Sequence, residues 1–229
     1  MAPSSQNGKL IVLCGPDGSG KTSLSRLLVG MLKDDGYEVQ YVWCRFESGI
    51  LAFWLGILGK ILQPSEKAGQ DYEKRMKRKH DIFYLPVIRW LYLAYVLLAY
   101  MREIHTRIGR PHRAGKAIVS DRYTYDTAID LWIDFGMRHD YLATMVSLVD
   151  KLAPVPDLIL VVDVPADVAL ARKSDIPTLE YSSERRAGYL QLARILNVVP
   201  LNGTKPLNEN AGRLKEKIVP VLNTNQKVR

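Results

Sequence analysis

The sequence predicts an α/β fold in which a five-stranded parallel sheet is covered by helices on both faces. Three observations lead there: five short runs rich in β-branched residues, stretches between them with apolar spacing of three and four, and turn residues at the junctions. Strands separated by helices need right-handed crossovers, which make neighbouring strands parallel and bury both sheet faces.

The elements follow in order. Leu10 to Cys14 is the first strand, and a helix from about Lys21 presents Leu24, Leu27, Leu28, Met31 and Leu32 on one face before Asp35 and Gly36 end it. Val39 to Cys44 is the second strand. Gly49 to Arg110 is the least regular part: an apolar piece (Ile50 to Leu62), a polar, basic piece (Gln63 to Asp81, with the run Lys74 to Lys79) and an apolar stretch from Ile82 to Met101. We read residues 49–110 as a helical insertion over the sheet edge. Gly115 precedes the third strand, Ala117 to Ser120, and Pro154 to Asp157 precede the fourth, Leu158 to Val164. A helix with Tyr189, Leu192, Ala193 and Leu196 on one face then leads to a fifth strand, Val198 to Leu201.

At 229 residues, 47% of them hydrophobic, the chain has material for one such domain spanning 1–229. Ile82 to Met101 approaches bilayer length, but Pro86, a mid-span Arg89 and four scattered tyrosines favour a long buried helix or one lining a pocket. No membrane partner is expected. Lys and Arg outnumber Asp and Glu by 32 to 24, a net charge of +8, so the partner is anionic, and nucleotide phosphates satisfy that as well as nucleic acid does. The two cysteines, Cys14 and Cys44, lie inside apolar runs and read as reduced core residues of a cytoplasmic protein. The first nine residues lack the basic-then-apolar order of a secretory leader.

The strongest local signal is Gly15-Pro16-Asp17-Gly18-Ser19-Gly20-Lys21-Thr22, which fits G-x-x-x-x-G-K-[ST] between a strand and a helix. In that setting main-chain N–H groups and the positive end of the helix dipole converge on one anion, and glycines let the amides approach it. The pattern implies a triphosphate, ATP, held by Gly15, Asp17, Gly18, Ser19, Gly20, Lys21, Thr22 and Ser23, with Mg²⁺ on the Thr22 hydroxyl. Lys21, expected to be an exposed loop residue, would bridge the β- and γ-phosphates. The plain competing interpretation is a glycine-rich strand-to-helix turn without a ligand.

Asp121, Arg122 and Tyr123 follow the third strand at the carboxyl edge of the sheet, where open α/β folds bind ligands. A carboxylate there can hold Mg²⁺ through water or orient an attacking oxygen, and a neighbouring guanidinium can clamp a phosphate. A surface salt bridge is the simpler alternative.

Together these residues resemble the thymidylate kinase family of nucleoside monophosphate kinases. The matching pieces are G-P-D-G-S-G-K-T-S-L, the D-R-Y triplet, P-D-L-I-L-V-V-D-V-P-A-D-V-A-L-A-R-K from Pro156 to Lys173, and E-R-R-A-G-Y-L-Q-L-A from Glu184 to Ala193. The resemblance implies a P-loop kinase fold with a mobile lid, a nucleotide substrate and a homodimer. It transfers catalytic support to Asp121 and the grip on the acceptor phosphate to Arg122, gives Asp17 the acceptor's sugar hydroxyl, and adds Arg45, Tyr123 and, by position alone, Arg102 on the acceptor side. The loop carries no Arg, so the lid, residues 172–186, would supply cations from Arg172, Lys173, Arg185 and Arg186, with Arg172 beside Lys21, Asp121 and Arg122 in the catalytic set. The sequence departs from the family at Phe46-Glu47-Ser48-Gly49, where the family has a Glu-Pro-Gly-Gly-Thr-like run, and at Ile129-Asp130-Leu131, where it has Ala-Tyr-Gln. In this it looks more like a divergent thymidylate-kinase-like branch.

Three functions remain in play on the sequence: a deoxynucleoside monophosphate kinase with dTMP as leading acceptor, a kinase for a nucleoside or other small metabolite, and a non-catalytic ATP-binding module whose basic run meets nucleic acid. The last ranks lowest, because a basic run is more often a solvated face, and no stable nucleic-acid partner is expected. For a dimer, Ile50 to Leu62 would supply the interface.

Overall fold

The computed structural model describes residues 8–45 and 84–224, together with Lys77 and Asp81. Five parallel strands, β1 (Leu10–Cys14), β2 (Val39–Trp43), β3 (Ala117–Asp121), β4 (Leu158–Asp163) and β5 (Leu201–Asn202), form one sheet in the order β2-β3-β1-β4-β5. The helices are α1 (Lys21–Asp34), α2 (Pro86–Ile104), α3 (Arg110–Arg113), α4 (Thr124–Asp134), α5 (His139–Leu152), α6 (Ala166–Arg172), α7 (Leu179–Ile195) and α8 (Leu207–Asn223). This is the expected α/β phosphate-loop kinase architecture.

Side chains alternate across a strand, so β1 feeds two cores. Leu10, Val12 and Cys14 pack into a cluster with Tyr100 and Ile104 of α2, Ile129 and Trp132 of α4, Leu142 and Val146 of α5, and Tyr189 and Leu192 of α7. Ile11 and Leu13 face the other way, onto Leu24, Leu28 and Leu32 of α1 and Leu214 and Ile218 of α8. Both cysteines are buried free thiols, as expected.

Two expectations change. The fifth strand was expected at Val198 to Leu201, yet only Leu201 and Asn202 pair with β4, opposite Val162 and Asp163. The residues before it are occupied otherwise. Asn197, at φ 51°, ends α7 in the left-handed region. The Val198 N–H turns back to the Ala193 carbonyl at 2.9 Å and that of Asn197 to Arg194 at 3.2 Å, a Schellman cap. Val199 is exposed and Pro200 has no N–H to give a ladder.

The apolar stretch from Ile82 to Met101, expected as a long buried helix or one lining a pocket, is the second, and only the first of those alternatives is set aside. It becomes α2, started by Pro86 in the first turn, where a missing N–H costs nothing. It is not fully buried: Val96, Tyr100 and Ile104 face inward, while Val87, Trp90, Leu91 and Leu98 are exposed. The inner side borders a small apolar cavity of about 30 Å³ against α4 and α5, lined by Val96, Tyr100, Ala128, Leu131 and Met145. Among the described residues no helix is long and apolar enough to cross a membrane. The run Ile50 to Leu62 invoked for a dimer lies outside the described residues, as does the basic run Lys74 to Lys79 apart from Lys77.

Candidate active site

Register decides which loops meet at the carboxyl edge. In the central strands Leu13 stands opposite Asp121, and Trp43 of β2 opposite the same residue. The chain leaving β1 into the glycine-rich loop therefore emerges beside the chain leaving β3 into Arg122. The Arg122 N–H donates to the Leu13 carbonyl at 2.9 Å, stitching the two exits together.

The loop needs its glycines. Gly20, at φ 86°, caps α1 in a conformation that side chains disfavour. At Gly18, φ 78°, a Cβ would lie 2.6 Å from the Ala169 carbonyl oxygen of α6. Lys21 is only 4% exposed, not the exposed loop residue expected, because its Nζ folds back to donate to the Pro16 carbonyl at 2.9 Å. Burial and then the Arg122 guanidinium depress its pKa to about 8, against the opposing pull of Asp17, Asp126 and Asp121. A buried ammonium held by one main-chain carbonyl beside the Arg122 guanidinium is poised for a polyanion.

Arg122 carries unusual backbone strain for a non-glycine residue, φ 74°. Its carbonyl accepts from the Ser120 hydroxyl at 2.7 Å, and its guanidinium donates to the Asp17 carboxylate and, at 3.4 Å, to Asp126. Asp126 is wholly buried, accepting from the Tyr123 N–H at 2.9 Å and the Tyr189 hydroxyl at 2.6 Å. Burial would lower the Arg122 pKa, but Asp126, Tyr189, Asp17 and Asp130 outweigh it and hold the guanidinium firmly charged.

Asp17 is the hub. Besides Arg122 it has Arg45 Nη1 at 3.9 Å, Lys173 Nζ at 3.8 Å and the Tyr181 hydroxyl, which donates to it at 3.4 Å. Burial alone would raise its pKa; Arg122, Lys21, Arg45 and Lys173 together hold it well below the usual carboxylate range. Asp121 is fully buried, with Oδ2 accepting from the Tyr41 hydroxyl at 3.1 Å and Oδ1 left without a partner among the described residues. The Ser19 hydroxyl is likewise buried and unmatched. Orphaned acceptors and donors of this kind beside a phosphate loop suit a hydrated cation and a phosphate oxygen.

The sequence-predicted residues divide accordingly. Asp17, Lys21, Arg45, Asp121, Arg122, Lys173 and Arg185 converge. Thr22 and Ser23 begin α1 at its solvent side, half-exposed and exposed. Tyr123 turns into the core, where its hydroxyl donates to the Pro154 carbonyl at 2.5 Å. Arg102 is exposed on α2 and does not join the ion pairs around Asp17 among the described residues. Arg172 donates to the Gly203 carbonyl at 2.9 Å, and Arg186 grips Asp163 through Nε and Nη2 at 2.8 and 3.0 Å.

Sequence reasoning missed Asp126, Asp130 and Tyr181. A signal existed for Asp126, four residues beyond Arg122 and at the third position of a helix whose start it caps. Asp130 was seen only as a departure from the family pattern, and Tyr181 lay unremarked within the expected lid.

Fold and site define a class: an α/β protein of the phosphate-loop kinase fold, with its loop and an aspartate-arginine pair side by side at the sheet edge. No protein-family model matches the chain. The thymidylate kinases of Chlamydia abortus and Chlamydia caviae are each 28% identical to it over 215 residues, 89% of this chain and 92% and 94% of theirs. A probable thymidylate kinase of Archaeoglobus fulgidus is 27% identical over 223 residues, 93% of this chain and 96% of its own. The likeness runs along nearly the whole chain: over about nine tenths of its length the sequence is similar to thymidylate kinases.

Proposed function

We propose that this protein transfers the γ-phosphoryl group of ATP to a deoxynucleoside monophosphate in the cytoplasm, with dTMP as the leading acceptor. The observation that carries this reading is the juxtaposition of Arg122, paired with Asp17 of the phosphate loop, and the buried Lys21 whose charge they influence. The relatives' names support the same reaction class.

Phosphoryl transfer demands positioning and charge stabilisation more than covalent chemistry from the protein. Lys21 would trade the Pro16 carbonyl for phosphate oxygens and follow the charge as it spreads over the transferring group. Arg122 and Arg45 would hold the acceptor's phosphate so that one of its oxygens faces the phosphorus, forming the new P–O bond as the bond to the leaving diphosphate breaks. Asp17 would accept a hydrogen bond from the acceptor's sugar. Thr22 and, through water, the free oxygen of Asp121 would hold Mg²⁺, which supplies charge neutralisation on the phosphates. Lys173 and Arg185 would close the site from the α6–α7 side and help exclude water, as Arg172 and Arg186 would if they left their present partners.

A coupled ADP-release assay across nucleoside monophosphates and nucleosides tests the proposal. Acceptor-dependent release, greatest with dTMP, is expected. ATP binding without stimulation by any acceptor, together with salt-sensitive nucleic-acid binding, would mark a binding module instead.

A further inference from the structure

Asp130 is the one acidic residue in the cluster that the sequence pattern does not explain. It lies on α4, nine residues beyond Asp121, and each of its two oxygens takes a different guanidinium. Oδ2 accepts from Arg45 Nη2 at 3.4 Å and Oδ1 from Arg185 Nη2 at 3.3 Å. The two arginines come from separate places, the end of β2 and the second turn of α7, and Asp130 sets the distance between them. The contacts close into a ring: Asp17 to Arg45, Arg45 to Asp130, Asp130 to Arg185, Arg185 stacked at 3.7 Å on the Tyr181 ring, and the Tyr181 hydroxyl back to Asp17.

Without that carboxylate the ring would be held badly. Arg45 already meets repulsion from Arg122, and it is the neighbouring Asp130 and Asp17 charges that keep it firmly protonated against its partial burial. Arg45 gives Asp130 one hydrogen bond, through Nη2, while its Nη1 faces Asp17 at 3.9 Å, beyond hydrogen-bond length, so an entering phosphate can take that donor. Asp130 keeps about a third of its side chain exposed, so the ring opens to solvent on its side.

We propose that Asp130 is a positioning residue for the acceptor phosphate: it fixes Arg45 and Arg185 as a preformed clamp that the phosphate of a monophosphate acceptor enters. The assignment rests on the kinase reading above. It differs from a core-packing role because Asp130 contributes charge and aim rather than buried apolar surface.

The test is steady-state kinetics on the full chain with Asp130→Ala, Asp130→Asn and Asp130→Glu, varying acceptor and ATP separately, with melting temperatures measured in parallel. The acceptor KM in the Ala and Asn variants should rise roughly ten- to a hundredfold while the KM for ATP stays within about twofold, the loss expected when a phosphate-holding group is misplaced by about an ångström. Asp130→Glu should recover part of the loss, since it restores the charge at a longer reach. An acceptor KM that is unchanged or lower in Asp130→Ala overturns the assignment, as does a parallel rise in both KM values with a lowered melting temperature. Wild-type protein that shows no acceptor-dependent ADP release refutes the kinase reading itself, and the positioning role goes with it; release by the wild type with unaltered variants refutes the positioning role alone.

Discussion

Lys21 is buried with a pKa near 8, where a free lysine has 10.5, so at pH 8 it is half neutral. A polyanion seated in the loop favours the charged form and lifts that pKa. Triphosphate binding should therefore take up about half a proton at pH 8, more at pH 8.5 and almost none at pH 6.5. Calorimetric titrations in buffers of different ionisation enthalpy read this directly, and proton uptake that persists in Lys21→Met would assign it to another group. Folding has the same linkage. The unfolded chain keeps this proton up to about pH 10.5 and the native state releases it near pH 8, so through this group stability rises with pH between the two and is lowest below 8. Removing the ammonium consequently should not lower the melting temperature of the nucleotide-free protein, although kcat should fall on the order of 10²- to 10³-fold, the usual loss for a preorganised donor at developing charge.

At the scale of elements, the contact between α4 and α7 controls the aim of Arg185. Gly188 sits one turn beyond it on α7, and a Cβ there would come 3.0 Å from Ile129 Cγ2 and 3.4 Å from the Trp132 ring of α4. Gly188→Ala gains about 1 kcal/mol of helix propensity and asks Ile129 to yield a few tenths of an ångström, so its stability should change little. Gly188→Val adds two further methyl groups to a filled interface and should cost about 1–3 kcal/mol. It should also raise the acceptor KM, since pushing α7 off α4 separates Arg185 from Asp130; thermal melts with acceptor kinetics check both. The same elements show how far sequence reading reaches. Strands β1 to β4 and helix α1 were legible because β-branched runs and three-four apolar spacing are local signals of burial. The fifth strand was misplaced because Val198 serves a helix cap, and hydrophobicity at Val199 does not tell an edge approach from a ladder. For helix α2 the sequence leaves a buried helix and a pocket-lining one both open, because its apolar residues run all round it, which periodicity alone cannot resolve into a packed and an open face.

For the whole molecule, the site depends on register between distant segments. The glycine-rich loop and Asp121-Arg122 announce themselves, each by local pattern, and the order of strands brings them together. Asp130 and Tyr181 carry no motif and become visible only when α4 and α7 are packed beside that edge. An acceptor bound there would touch groups issuing from β1, β2, β3, α4 and α7, so it should stabilise the sheet as a unit and not one loop. At a concentration one hundred times its Kd, a ligand that binds only the native state adds about 2.7 kcal/mol. For a chain of this size that is a rise in melting temperature of roughly 5–10 °C. We expect dTMP to produce that shift in the wild type and an ATP analogue that is not turned over to produce a second, additive one. Arg122→Ala should lose the dTMP shift measured from its own baseline while keeping most of the nucleotide shift, and Lys21→Met should do the reverse. Equal loss of both shifts in either variant would mean that the loop and the arginine serve a single pocket, and the assignment of Lys21 to the triphosphate and Arg122 to the acceptor phosphate would have to be abandoned.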